Sequence, residues 1–301
     1  MGVGLSLALS DYIIQVRNLV GDAGAVDWSN TEITNYVNNA RLSCALDMHC
    51  VAVFNPNLQF IQGVESYNIN GAVGGAVITA GGANYALTDT VTFSAPQTPG
   101  GITATGTPTI AAGVVTGITM TAWGNGYTAV PTITFNTATG SGAAATPATL
   151  IGAFNVLWMN NIWNAQRYQM NYRAMQLYNA YFRAIQPFQG RPGAWTIDER
   201  MLTVYIRLIP DQSYTTEWRT LAVPTPLVNT TDLDTQVLMP WADAVQYYAA
   251  SLALMKLQNF AQSDKMLQLY ERRVPRVLTG AGGVRIPNPY NRTFQRRVAR
   301  V

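Results

Sequence analysis

The only histidine in the chain, His49, lies beside Cys50 and five residues after Cys44, the two cysteines of the sequence. Thiol and imidazole together suggest a nucleophilic pair or a zinc centre. Either needs its groups to converge, with a third partner that orients or ligates. If the three share one helix, the six-residue spacing of Cys44 and Cys50 sets them on different faces, so neither a bridge nor a metal site is expected. Asp22 and Asp27 bracket a Gly-Ala loop, but oxygen ligands at alternate positions, as a calcium loop requires, are missing. Gly124-Asn125-Gly126 before Tyr127 reads as a turn rather than a phosphate cradle. Asn229 and Asn291 head triplets of glycosylation type, which carry no meaning without secretion. The expectation is a protein with no catalytic residues, no cofactor and no metal.

Charge carries more. From residue 272 to 301 there are eight arginines and no acid, while the rest of the chain holds 11 basic and 16 acidic residues, a net of −5. Such an arm suits an acidic surface or nucleic acid. Its apolar members, Ile286, Tyr290, Phe294, Val298 and Val301, favour a protein groove, because a pure phosphate binder has no use for them. The cations are 17 Arg against 2 Lys, and the forked guanidinium suits interfaces better than the ammonium does.

The elements that must position these residues fall into three stretches of 301 residues, 48% apolar and only 12% charged. So low a charge is typical of chains that hide surface in assemblies. No apolar run is long enough to span a bilayer, so no membrane association is expected. In the first stretch, residues 1–70, Ser10 is placed to cap a helix carrying Tyr12, Ile13, Val16, Leu19 and Val20. Ser29 and Glu32 form a capping box flanked by Trp28 and Ile33, and a second helix follows through Cys44, Met48 and Val51 to Asn55-Pro56-Asn57. Phe60 to Ile69 reads as a strand. The third stretch resumes near 151, with a strand at Phe154, a helix from Asn171 to Ile185, and strands Leu202 to Ile209 and Thr216 to Val223. A helix after Pro240 carries the stripe Trp241, Val245, Tyr248, Leu252 and Met255, and Pro275 is expected to break the helix that follows it. This stripe is read as a subunit-packing helix, since a monomer would leave it exposed.

The middle stretch, 71–150, differs in kind: between Ser66 and Leu150 the one charged residue is Asp89. Gly, Ala and Thr dominate, and Gly82, Tyr85, Thr90, Thr92 and Phe93 recur 42 residues later as Gly124, Tyr127, Thr132, Thr134 and Phe135. A duplicated β unit is expected. Tyr85, Trp123 and Tyr127 read as core, with stacking on sugar rings as the alternative, which would make the block a carbohydrate-binding module.

The flanking stretches resemble the head-to-tail adaptor (connector) proteins of tailed bacteriophages, of the short-tailed type. The likeness lies in Asp11-Tyr12-Ile13 with Val16-Arg17, Trp28-Ser29 with Glu32-Ile33, Tyr36-Val37-Asn38 and Ala40-Arg41. It continues in Trp195-Thr196-Ile197-Asp198, Pro210 with Tyr214 and Glu217, and Pro240-Trp241-Ala242 followed by Ala249-Ala250. It covers about two-thirds of the chain. The resemblance implies an α+β fold with a helical-bundle core and a β-hairpin layer, the strands near Ile69 and Phe154 being its adjacent arms. Residues 1–70 and 151–274 would be a discontinuous core, 71–150 an inserted all-β domain, and 275–301 an extended basic arm. It implies a homo-oligomeric ring, usually of twelve subunits, in the neck of the virion after assembly in the bacterial cytoplasm. The partners would be the portal protein and tail or nozzle proteins, with DNA passing through the channel without sequence-specific binding. The arm residues Arg285, Tyr290, Arg292, Phe294, Arg296, Arg297 and Arg300 would dock on the portal. Capsid decoration or fibre attachment through the β block is the competing reading.

Overall fold

A computed structural model describes residues 6–180 and 188–282. In chain order the elements begin α1 (Leu9–Val20), α2 (Asn30–Met48), β1 (Ala52–Phe60), β2 (Ser66–Asn68), β3 (Val73–Ala83), β4 (Thr90–Phe93), β5 (Thr105–Ala111), β6 (Val114–Ala122), β7 (Ile133–Asn136) and β8 (Ser141–Thr149). They continue as β9 (Ala153–Trp163), β10 (Gln166–Gln169), β11 (Asn171–Tyr172), α3 (Met175–Tyr178), β12 (Ala194–Asp198), β13 (Thr203–Arg207), β14 (Tyr214–Ala222), α4 (Ala242–Lys256) and α5 (Phe260–Gly282).

The expected fold class is overturned. Strands make up 38% of the chain and helices 26%, and no helical-bundle core organises it. The large hydrophobic cluster is built instead from strand and loop residues such as Leu58, Phe60, Tyr67, Met159, Trp195 and Trp218. The apolar helical stripes stand out in the sequence, but most of the large side chains available for burial lie between Val51 and Val223. The hairpin joining the strands near Ile69 and Phe154 does not form either. β14 lies between β1 and β9 and pairs antiparallel with both, while β2 pairs with β13. The helix expected over 171–185 is replaced, within the described residues, by β11 and the single turn α3.

Two compact units emerge: Met1–Cys50 with Pro224–Val301, and Val51–Val223. In the first, the capping box forms as the sequence dictates. The Glu32 N–H donates to Ser29 Oγ (3.2 Å) and the Ser29 N–H to Glu32 Oε2 (3.0 Å). The Glu32 carboxyl is held down at about 2, first by the Lys256 ammonium and then by Ser29. α2 stops at Met48 with His49 left-handed, short of the expected Val51. α4 packs against α1, α2 and α5, and its buried face is mostly small (Ala242, Ala244, Ala249, Ala250, Ser251, Ala253), which lets neighbouring backbones approach. α5 passes through Pro275 to Gly282, where a break was expected.

In the second unit, the 42-residue repeat is real but does not make two separate copies. Every strand pair of the block joins one copy to the other: β3 with β8, β5 with β6, β4 with β7. The Tyr85 N–H donates to Gly113 O (2.9 Å) and, 42 residues on, the Tyr127 N–H donates to Gly71 O (3.0 Å). The two hydroxyls are used alike, Tyr85 accepting from the Ala143 N–H (3.2 Å) and Tyr127 from the Ala104 N–H (3.1 Å). The copies therefore clasp each other about a local pseudo-twofold axis.

The recurring glycines make this closure possible. A Cβ on Gly82 would stand 2.4 Å from Ser141 O, and one on Gly124 would stand 2.5 Å from Ile102 O, both backbone atoms. Gly82→Ala and Gly124→Ala are each expected to destabilise the protein by about 1–3 kcal/mol, the ordinary cost of overpacking. Gly82 carries an added penalty because its φ is +65°. Denaturant titration of the two variants measures this directly.

Candidate interaction surfaces

Among the described residues, no three His, Cys, Asp or Glu side chains gather as metal ligands, and no helix is long and apolar enough to cross a membrane. Burial pushes the Cys44 thiol up to about 12 and the Cys50 thiol up to about 11, so both are protonated at neutral pH. Three shallow grooves of about 260–340 Å³ lie on the second unit, lined by amide, hydroxyl and apolar groups with Glu199 as the one carboxylate.

Buried charge in the first unit is structural. Arg41 grips Asp234 with two bonds, Nε to Oδ2 (2.7 Å) and Nη2 to Oδ1 (2.8 Å), and donates through Nη1 to Thr225 O (2.7 Å). Asp234 also accepts from the Tyr12 hydroxyl (3.2 Å) and the Val237 N–H (2.9 Å). Burial, then the Asp234 charge, pushes the Tyr12 hydroxyl far above its ordinary range, so it remains a donor. The network ties α1 and α2 to the segment before α4.

A second network shapes the loop between α1 and α2. Arg17 Nη1 donates to Asp22 Oδ2 (2.7 Å), and its Nη2 donates to Trp28 O and Asn30 Oδ1 (both 2.9 Å). Asp22 Oδ1 accepts the Val26 N–H (2.7 Å). The aspartate weighed above as a calcium ligand thus serves as a loop anchor. Burial raises the Asp22 carboxyl, but the N–H donors of Val26, Asp27 and Trp28 together with Arg17 outweigh it, and the net shift is downward. A carboxyl with a depressed folded pKa stabilises above its unfolded value, near 4, and loses that contribution as pH falls through the folded one. Amide exchange at Val26 and Trp28, corrected for intrinsic pH dependence, is expected to accelerate below about pH 4. In Asp22→Asn it should already be fast at neutral pH.

In the second unit, the outer face of the β1-β14-β9 sheet carries Phe54, Arg219 and Trp158 in one cross-strand row. The two rings lie 6.0 Å apart, Phe54 is 49% exposed, and Arg219 is exposed. One step along β14 on the same face, the buried Glu217 is paired with Arg167 (2.8 Å).

The expected subunit-packing stripe is largely used inside its own unit. Val245 is fully buried and Tyr248 rests on Tyr270 with ring centroids 5.1 Å apart. Trp241 and Leu252 are partly covered, and Met255 is exposed. The arm residues Arg285, Tyr290, Arg292, Phe294, Arg296, Arg297 and Arg300 lie outside the described residues. Arg273, just before them, pairs with Asp243 and stacks over Tyr247. The aromatics weighed for sugar stacking are core: Tyr85 and Tyr127 are buried, and Trp123 lies between Tyr67 (4.7 Å) and Trp218 (5.3 Å). Sequence reasoning missed Asp234, an acid in a polar linker, and the Phe54–Arg219–Trp158 row, whose members are aligned only by the register of strands far apart in the chain. No family model matches the chain, and no curated protein does.

Proposed function

We propose that the chain is a structural virion protein, a head-to-tail adaptor that assembles as a ring between portal and tail around the DNA exit channel. The observation that carries this reading is the place of the residues behind the resemblance. The side chains of Tyr12, Arg17, Ser29, Glu32 and Arg41, with the backbone carbonyl of Trp28, lock the first unit together through the two buried ion-pair networks and the capping box. They are scattered in sequence and share one structural task, which supports reading them as a set. The run of arginines after α5 supports a docking arm, and the partners follow the resemblance: portal protein, tail or nozzle proteins, and further copies of this chain. The protein has no catalytic role in this reading, and the DNA is enclosed rather than read.

Electron microscopy of the protein mixed with portal tests it. A closed ring seated on the portal, present at one vertex of the particle, is the expected result, and removal of residues 283–301 should abolish that seating while leaving the melting temperature unchanged. A protein found over the whole capsid would instead support decoration.

A further inference from the structure

The loop between α1 and α2 is short, exposed and unusually well anchored. A buried guanidinium and a buried carboxylate, Arg17 and Asp22, hold its backbone from within. What it turns outward is Val26, 85% exposed, and the carboxylate of Asp27. Lys256, which feels the Asp27 charge, is already bridged to Glu32. A rigid loop presenting one apolar and one acidic side chain has the form of a knob.

The second unit offers a complementary surface. Phe54 and Trp158 flank Arg219 in register on the adjacent strands, and its guanidinium makes no hydrogen bond or ion pair among the described residues. Arg167, the other cation on that face, is held by Glu217. One free guanidinium in the same cross-strand row as two neighbouring rings matches one carboxylate beside one valine. It does not match nucleic acid, since a phosphate track needs several cations and in this row Arg219 stands alone, the neighbouring Arg167 being held by Glu217.

The geometry points to a subunit contact in which the Val26–Asp27 knob of one copy seats on the Phe54–Arg219–Trp158 row of the next copy. Knob and seat are different surfaces, so the contact is head-to-tail, and such contacts close into rings or run on as filaments. The inference rests on the ring reading and names the contact that would build the ring.

Sedimentation velocity of the full chain, over a concentration series up to its solubility limit, tests the contact. The wild type is expected to self-associate. Asp27→Arg and Arg219→Asp should each move the midpoint to about tenfold higher concentration, and the double reversal should bring it back to within about threefold of wild type. Val26→Ser, which keeps the backbone donors to Asp22, should weaken association without altering the circular dichroism, and Arg219→Gln serves the same end on the strand. A wild type that stays monomeric, single reversals without effect, or a double reversal as weak as the singles overturns the contact. Association that persists through both reversals overturns it while leaving the ring reading to the portal experiment. Arg219-dependent retention of single-stranded DNA by the monomer would replace it with a nucleic-acid seat.

Discussion

Joining Gly71 directly to Ile151, so that residues 72–150 are lost, is expected to leave an insoluble or unfolded chain. From sequence the opposite is expected, because lengthening a loop costs little closure entropy. The structure reverses that expectation through its core. Val91, Phe93, Ile118, Met120 and Tyr127 belong to the same hydrophobic cluster as Leu58, Phe60, Tyr67 and Trp218. The Trp123 indole donates to Gln59 O (2.8 Å), while the Gln59 side chain donates to Ile118 O (2.8 Å) and accepts the Met120 N–H (3.0 Å). Deletion would expose Trp218 and Tyr67 and leave the polar groups of Gln59 without partners. Removing one large aromatic from a core costs about 3–5 kcal/mol, and whole domains are stable by only about 5–15 kcal/mol. Light scattering and circular dichroism of the deletion variant are the measurement. A soluble variant with a cooperative melt would show that the block is energetically separate.

Arg41→Ala is expected to destabilise the first unit by about 3–5 kcal/mol, the range for breaking one side of a buried ion pair. Arg41 and Asp234 are both essentially inaccessible, so the surviving carboxyl would be left buried without its bidentate partner. Asp234→Ala should cost as much or more, since it also removes the acceptor for Tyr12 and the Val237 N–H. Arg41→Lys should recover only part of the loss, because one ammonium cannot grip Asp234 twice and also reach Thr225 O. Denaturant titration orders the three. Equal stability of Arg41→Ala and wild type would mean that the pair contributes nothing.

What the sequence made legible was local. Ser29 and Glu32 are three residues apart and announce a helix start whatever surrounds them. The alternating runs at Thr90 and Thr132 became β4 and β7 within a residue of the expected limits. The failures came where the partner is distant. Val51 continues the apolar spacing of α2, yet the chain turns at His49, because β1 pairs with β14 more than 150 residues away. Asn55-Pro56-Asn57 looks like a helix stop and lies instead within β1, where the register with β14 shifts between Asn55 and Leu58. The stripe from Trp241 to Met255 reads as outward-facing only if the helices around α4 are unknown. Arg41 was visible as part of a resemblance, but its partner Asp234 lies 193 residues on, and nothing in its neighbourhood announces a buried charge.

The clasped β block has a consequence for how the chain tolerates cutting. β5 and β6 meet at a tight turn at Ala112 and Gly113, where one copy of the repeat ends and the other begins. Because each strand of one copy is hydrogen-bonded to a strand of the other, a protease that severs this turn frees neither piece. Both halves stay anchored in the same core and hold each other across three ladders. A lone copy, by contrast, has no partner strand of its own, and must borrow one from another molecule to fold.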